Sequence, residues 1–286
     1  MNPAILACLA GDISPQVAVC RMLFDGFDAS DIRTEVLAAE PPSPDPSSPD
    51  PSSSYLAWAA LAGLLDGRDG VLDGLARQVR EFGDEHFSLD DPAAIGAFFD
   101  RAAAHSPEAG VALYSLGDPA ILAAGTAEIV EWLAAEQLIH AKASVLDLGC
   151  GFGRVAAAIR PVCASVLGID VSAGMVAEAR RRHAGVTGLR FEVADGVSLP
   201  AGLFDLVLAV DSVPYMVQAG IADRIFGQAA AAVRAGGAVV VLNLSYRGDH
   251  SADRADAERW ASTHGFGSAV SWPFTLWDGV AYVFRR

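Results

Sequence analysis

Val145-Leu-Asp-Leu-Gly-Cys-Gly-Phe-Gly-Arg154 joins a short apolar run to the start of a helical pattern through three alternating glycines. Ser144 to Leu148 is largely apolar and stops abruptly at glycine, the pattern of a strand buried in a parallel sheet. Gly149, Gly151 and Gly153 then alternate with Cys150 and Phe152. Such a loop bends sharply and lets main chain approach a ligand where a Cβ would collide. From Arg154 to Arg160 the spacing predicts a helix, whose first free N–H groups face whatever rests on the loop.

A glycine loop alone often marks nothing more than a strand-to-helix turn. The residues that follow add to it: Ser165 to Ile169 is a second apolar strand, and it ends in Asp170, where an acid can accept hydrogen bonds from both hydroxyls of a ribose. A nucleoside ligand follows from that pairing. Two departures separate the stretch from a dinucleotide fingerprint. Arg154 stands where GxGxxG needs its third glycine, and Asp147 lies two residues before the first. A carboxylate there suits a ligand with a positively charged amino group and would repel a pyrophosphate.

With Asp147, Gly149, Gly151 and Gly153 in place, the chain resembles the class I methyltransferases that use S-adenosylmethionine, whose loop reads Asp/Glu-x-Gly-x-Gly-x-Gly. The resemblance covers about residues 114–286. It implies that the loop, Cys150 included, holds the methionine part of the cofactor and that Asp170 holds its ribose. It further implies that Val171 and Met175 pack on the adenine, and that Asp195, between Ala194 and Gly196, accepts the adenine amino group. Tyr114 and Ser115, in the non-periodic stretch before the long helix expected over Ala120 to His140, are candidates to touch the methionine carboxylate or cover the site.

Strand and helix alternate from Ser144 onward, which signals a doubly wound parallel sheet. Strands are expected at Ser144–Leu148, Ser165–Asp170, Leu189–Ala194, Phe204–Val210 and Ala238–Leu244, with Ala235-Gly236-Gly237 as a tight turn into the fifth. Helices are expected near Arg154–Arg160, Ala173–His183 and Ile221–Arg234. The tail predicts a helix from Ala252 to His264, then strands Ala269–Pro273 and Val280–Arg286. A connection as short as Leu276-Trp277-Asp278-Gly279 makes these two antiparallel. The fold class is therefore α/β, a seven-stranded, mostly parallel sheet with an antiparallel last strand, preceded by an α-helical N-terminal region. Domain limits are expected at 1–110 for that region and 111–286 for the cofactor domain.

Within residues 1–110 the pattern is helical. Ile5, Leu6 and Leu9, then Val17, Val19, Leu23 and Phe24, would line one side of short helices, Ser14-Pro15 starts one of them, and Asp28 to Ala39 gives a third. Residues 40–54 are Pro- and Ser-rich with nothing apolar to bury, which predicts an extended, flexible spacer. Helices resume at Tyr55–Asp66, Gly70–Phe82 and Asp91–Ala104.

For chemistry, the end of the fourth strand, Val210-Asp211-Ser212-Val213-Pro214-Tyr215, faces the transferred methyl group in the fold the resemblance implies. Asp211 and Tyr215 are candidate catalytic residues there. Beyond the fifth strand, His250 is a candidate general base, since an unperturbed imidazole changes charge near neutrality, and Arg247 a candidate for an acceptor carboxylate. An Asn-Pro-Pro-Tyr loop of the kind used on amide or base nitrogens is absent, which favours a small-molecule acceptor.

The chain has 286 residues and a net charge of -15, which argues against a nucleic-acid partner because phosphate binding needs a clustered basic surface. Arg180, Arg181, Arg182 and His183 read as a solvated helix end. Cys8, Cys20, Cys150 and Cys163 show no metal-ligand spacing, so no metal is expected and the thiols read as reduced, as in a cytoplasmic protein. No apolar run is long enough to span a bilayer, and no membrane partner is expected. The N-terminal helices are a candidate homodimer interface. Two other function classes remain open at this level: a non-catalytic binder of S-adenosylmethionine or its demethylated product, and a nicotinamide-dependent oxidoreductase, against which Asp147 and Arg154 count.

Overall fold

The computed structural model describes residues 1–41, 53–86, 91–105, 107–271, 274, 276–277 and 279–286. The chain divides into two compact units. One comprises Met1–Phe87, Ala112–Gly125 and Phe274–Asp278, the other Ser88–Val111, Thr126–Pro273 and Gly279–Arg286.

The first unit is built on α1 (Pro3–Ala10), α2 (Pro15–Phe24), α3 (Ala29–Ala38), α4 (Ser53–Leu65) and α5 (Asp69–His86). Local chemistry starts each of the first three helices. Asn2 accepts the Ala4 N–H at 2.8 Å, Ser14 accepts that of Val17 ahead of Pro15, and Asp28 and Asp31 form a reciprocal capping box. Ile5, Met22, Leu23, Ile32, Leu61, Leu65 and Leu72 make the core. Leu6 and Phe24, expected on the buried side, are exposed because the buried stripe of α1 runs through Ala4, Ile5 and Cys8 and that of α2 through Val17–Val19, Met22 and Leu23. α4 begins at Ser53, two residues before the expected start. The remainder of the expected spacer, residues 42–52, lies outside the described residues.

The second unit opens with α6 (Pro92–His105) and α7 (Pro107–Val111); α8 (Pro119–Ala135) runs from the first unit into it. Asp91 accepts the Ala94 N–H and starts α6, as the Asp-Pro pair predicted. Then follow β1 (Ser144–Leu148), α9 (Arg154–Ile159), β2 (Ser165–Asp170), α10 (Ala173–Arg182), β3 (Leu189–Val193) and β4 (Phe204–Val210). The chain continues with α11 (Val213–Gln218), α12 (Ala222–Ala232), β5 (Val233–Leu242), α13 (His250–His264), β6 (Gly267–Ser271) and β7 (Ala281–Arg285). The seven strands order as β3-β2-β1-β4-β5-β7-β6, β7 running antiparallel to both neighbours, so the expected fold class holds. The order reverses between β1 and β4, and at such a switch point the C-terminal strand ends leave a ligand crevice.

One sheet face carries Leu146, Leu148, Val207, Ala209, Val239 and Val241 against Ile225, Phe226 and Ala229 of α12 and Trp260 of α13. Phe226 stacks on Trp260 and meets Phe284 edge-on, both at 4.7 Å between ring centres. Because side chains alternate along a strand, Val145 and Asp147 of β1 turn to the opposite face. A carboxylate is thereby buried inside the sheet layer.

Three expected boundaries are corrected. The helix expected to reach His140 stops at Ala135, where Gln137 takes a left-handed conformation at φ +57°. Ala235-Gly236-Gly237 is no turn: β5 already runs from Val233, and the three residues form a bulge, since partners on β4 advance from Phe204 to Leu206 while those on β5 pass from Val233 to Ala238. Val213–Gln218, read as loop, is a short helix with Pro214 in its first turn. The compact units also do not divide at the expected limit of 110, since residues 91–105 and 107–111 group with the sheet unit and 112–125 with the first.

Candidate functional site

At the end of β1 the backbone turns through Gly149 at φ +76° and Gly151 at φ +53°, a region that side chains other than glycine's rarely occupy. Two sterically demanding contacts add to that requirement. A Cβ on Gly149 would lie 2.3 Å from Ser212 Cβ, and one on Gly151 would lie 2.7 Å from Val111 Cγ1. The Ser212 hydroxyl donates to the Leu148 carbonyl at 2.6 Å, which ties the end of β4 to the end of β1.

Asp147 is 2% exposed, and its Oδ2 is buried without a hydrogen-bond partner. Burial pushes its pKa up from 3.8 to about 7, against the pull of the Arg154 guanidinium, and the nearby Asp170 carboxylate pushes the same way. Arg154 itself donates to the Thr126 hydroxyl at 2.9 Å. A buried carboxylate with an unanswered oxygen is costly unless a donor or cation meets it.

Asp170 sits at the tip of β2. Its Oδ2 accepts the Gly151 N–H at 2.8 Å and its Oδ1 that of Ser172 at 2.9 Å, so one carboxylate orders both the glycine loop and the entry to α10. Burial raises its pKa. One strand over, the Ala194 N–H donates to the Asp170 carbonyl, which sets Ala194, Asp195 and Gly196 beside it. Asp195 is exposed, and its Oδ1 accepts the N–H groups of Val197 and Ser198. Its carboxylate therefore closes a turn.

The remaining expected cofactor residues divide. The Cys150 thiol is buried against Gly168, its pKa pushed well up by burial, so that residue offers main chain rather than side chain. Met175 is 1% exposed beneath Gly110 and fills core. Val171 turns its carbonyl toward Gly96, and Val210 ends β4 half-buried. Tyr114 and Ser115 belong to the first unit, in a 3-10 turn at 113–115, where Tyr114 stacks on Trp277 and Ser115 Oγ accepts the Gly117 N–H.

Asp211 follows β4 with φ +53°, uncommon for a residue with a side chain. Asn243 follows β5 with φ +62°, and its amide donates to Asp211 Oδ1 at 2.7 Å while its carbonyl oxygen accepts the Val280 N–H. Backbone conformations of this kind persist where surrounding contacts over-determine them, and they concentrate at functional sites. Tyr215, buried on α11, meets Phe99 of α6 and Tyr246 edge-on at 5.0 and 5.7 Å, and burial pushes its phenol well up. His250 opens α13 and is exposed. Arg247, a candidate for an acceptor carboxylate, is committed to Asp253 and Asp256 at 2.6 Å each. The Arg180–His183 run is only partly solvated: Arg180 bonds the Phe191 carbonyl, and Arg182 lies 4.2 Å over the Phe152 ring.

The loop that carries these groups has relatives. A family profile described as a methyltransferase domain matches residues 145–237. The match to a methyltransferase domain thus spans the glycine turn and the first four strands of the sheet. Over 63 residues, 21% of the chain, the protein is 48% identical to the trans-aconitate 2-methyltransferase of Methylobacterium nodulans, 23% of whose length is covered. Over 116 residues, 38% of the chain, it is 33% identical to methyltransferase GfsG of Streptomyces halstedii, covering 41% of that protein. The chain thus matches less than half the length of these curated relatives. In fold, 68% of the chain superposes on 97% of the magnesium protoporphyrin IX methyltransferase of Synechocystis, solved with bound S-adenosylmethionine, at TM-score 0.54 and 19% identity.

The residues at these strand ends fit that cofactor. Asp147 Oδ2 is the unanswered acceptor an ammonium group requires, and Asp170 stands where ribose hydroxyls would donate. Sequence reasoning missed Asp100, Val111 and Asn243. Only Asn243 left a local signal, since asparagine is the residue with a side chain that best tolerates a left-handed strand end.

Proposed function

We propose that the protein transfers a methyl group from S-adenosylmethionine to a small-molecule acceptor, in the cytoplasm. The observation that carries the reading is the buried, unpartnered Asp147 Oδ2 beside the glycine turn, since a pyrophosphate cofactor would meet repulsion where an amino acid ammonium meets a counter-charge. S-adenosylmethionine, when bound, supplies an electrophilic methyl on a sulfonium.

The chain's part is to align and to exclude water. Asp147 would hold the ammonium group, Asp170 the ribose, and the Gly149–Gly151 main chain the methionine moiety. Asp211, aimed by Asn243, would take the proton from an oxygen or nitrogen acceptor, and the Phe99, Tyr215 and Tyr246 rings would wall the transfer site. Asp211 suits that role better than His250, because Asp211 directly follows β4 at the strand ends beside the glycine turn, whereas His250 opens α13 and is exposed. With Arg247 already paired twice, the acceptor side favours a neutral molecule. The test is incubation of purified protein with methyl-labelled S-adenosylmethionine and a small-metabolite extract. A labelled small molecule is expected; saturable binding with no labelled product would replace transfer by a binding role.

A further inference from the structure

Helices α6 and α7 lie across the strand ends that carry the candidate site, and three of their close approaches are made to residues of the crevice. Pro92 Cβ would be 2.2 Å from a Cβ on Gly196, the Val171 carbonyl 2.9 Å from one on Gly96, and Val111 Cγ1 stands 2.7 Å from where Gly151 would carry one. Space that glycines at a ligand cradle normally leave for a ligand is therefore taken by the chain's own side chains at both ends.

Two polar ties hold these helices down, one at each end of α10. At its start, Asp100 Oδ1 accepts the Ser172 hydroxyl at 2.5 Å and the Gly174 N–H at 2.8 Å. At its end, Glu108 pairs with Arg182 at 2.9 Å, and the same guanidinium lies over Phe152 of the glycine loop. The first tie lies two residues from Asp170, and the Asp100 charge is felt at that carboxylate. Ser172, whose hydroxyl bonds Asp100, also caps α10 through the Met175 N–H.

We propose that Asp100 is the latch of a gate over the nucleoside crevice: α6 and α7 form a strap closed across β1, β2 and β3, and release of Asp100 from Ser172 and Gly174 lets the nucleoside in and out. Asp100 is thus a positioning residue for the cofactor, and the inference rests on the reading of the crevice as an S-adenosylmethionine site. The strap reaches the glycine turn that follows Asp147, where Val111 meets Gly151. It also makes ligand exchange wait on a motion of the strap, so exchange rate and affinity both depend on the latch.

The test uses the full chain with S-adenosylhomocysteine as probe, in stopped-flow dissociation measurements and amide hydrogen exchange. Asp100→Ala removes hydrogen bonds to a charged acceptor, whose loss corresponds to roughly ten- to hundredfold in the open-to-closed ratio. Dissociation is expected to speed by about that factor, with the Gly174 amide losing protection in step. Asp100→Asn keeps a carbonyl oxygen for the Gly174 N–H and is expected to restore most of the wild-type rate. Gly96→Ala, which pushes α6 off the Val171 carbonyl without touching the latch, is expected to speed exchange as well. A lower melting temperature in Asp100→Ala with unchanged dissociation would mean a merely structural cap and would overturn the gate. So would a Gly174 amide unprotected in the wild type. Failure of the wild type to bind the probe at all would instead remove the cofactor reading beneath it.

Discussion

Replacing Asp147 with asparagine should stabilise the protein in a strictly pH-dependent way. The Asp147 pKa lies at about 7 in the folded chain, raised from 3.8 by burial, so the native state binds a proton more tightly than the unfolded one. Folding stability from this group is then complete below about pH 4 and is lost as pH rises toward 7, the reverse of a salt-bridged carboxylate. At 1.36 kcal/mol per decade the full penalty is about 4 kcal/mol above pH 8, of which roughly a third has already developed by pH 5. Asparagine carries no such term, though its own buried amide adds about 1–3 kcal/mol of unsatisfied donor at every pH. The difference between variant and wild type should therefore shift by about 2–3 kcal/mol in the variant's favour between pH 5 and pH 8. That is roughly 3–5 °C in the relative melting temperature for a chain of this size. Differential scanning calorimetry of both proteins at the two pH values reads it. A variant-minus-wild-type difference that is the same at both would refute the burial argument.

Two further outcomes follow from the site. Affinity for S-adenosylhomocysteine, whose ammonium needs an ionised Asp147, should rise by about thirtyfold from pH 5.5 to pH 8 and level off above 7; Asp147→Asn should flatten the titration, as isothermal calorimetry would show. Asn243→Ala, which forfeits the bonds to Asp211 and Val280 and leaves at φ +62° a residue that tolerates it less well than asparagine, should destabilise by about 2–4 kcal/mol, with Asn243→Gly recovering about 1 kcal/mol of it in thermal unfolding; equal losses for the two would show that the backbone there is unstrained.

Much of the sheet was legible because its strands are short, apolar and bounded by glycine or acid. β1, β2 and β4 begin and end where the composition changes, and β6 and β7 pair antiparallel, β7 within its expected limits and β6 starting two residues before its own. The reading failed where a local signal was overridden from a distance. Gly236-Gly237 has turn composition, yet β4 supplies partners on both sides of it and the glycines become a bulge. Leu6 and Phe24 belong to apolar helices whose buried stripe is chosen by the packing of α1, α2 and α4, which spacing alone leaves open. In the site, the acids at strand ends were visible because strand ends converge by topology. Asp100, Val111 and Pro92 were not, since nothing near them in sequence says that α6 and α7 will cross the crevice. Asp195 adds an engagement that its strand-end position does not announce, since its Oδ1 accepts two N–H groups of the turn that follows.

Titration of the purified full chain with S-adenosylmethionine at pH 8, alongside Asp170→Ala, bears on the central claim without need of an acceptor. Saturable binding at one site per chain, displaced by S-adenosylhomocysteine, unaffected by NADH and absent in Asp170→Ala, is the predicted result. A wild-type protein that takes up neither form of the cofactor, or that binds NADH in the same crevice, would contradict the account.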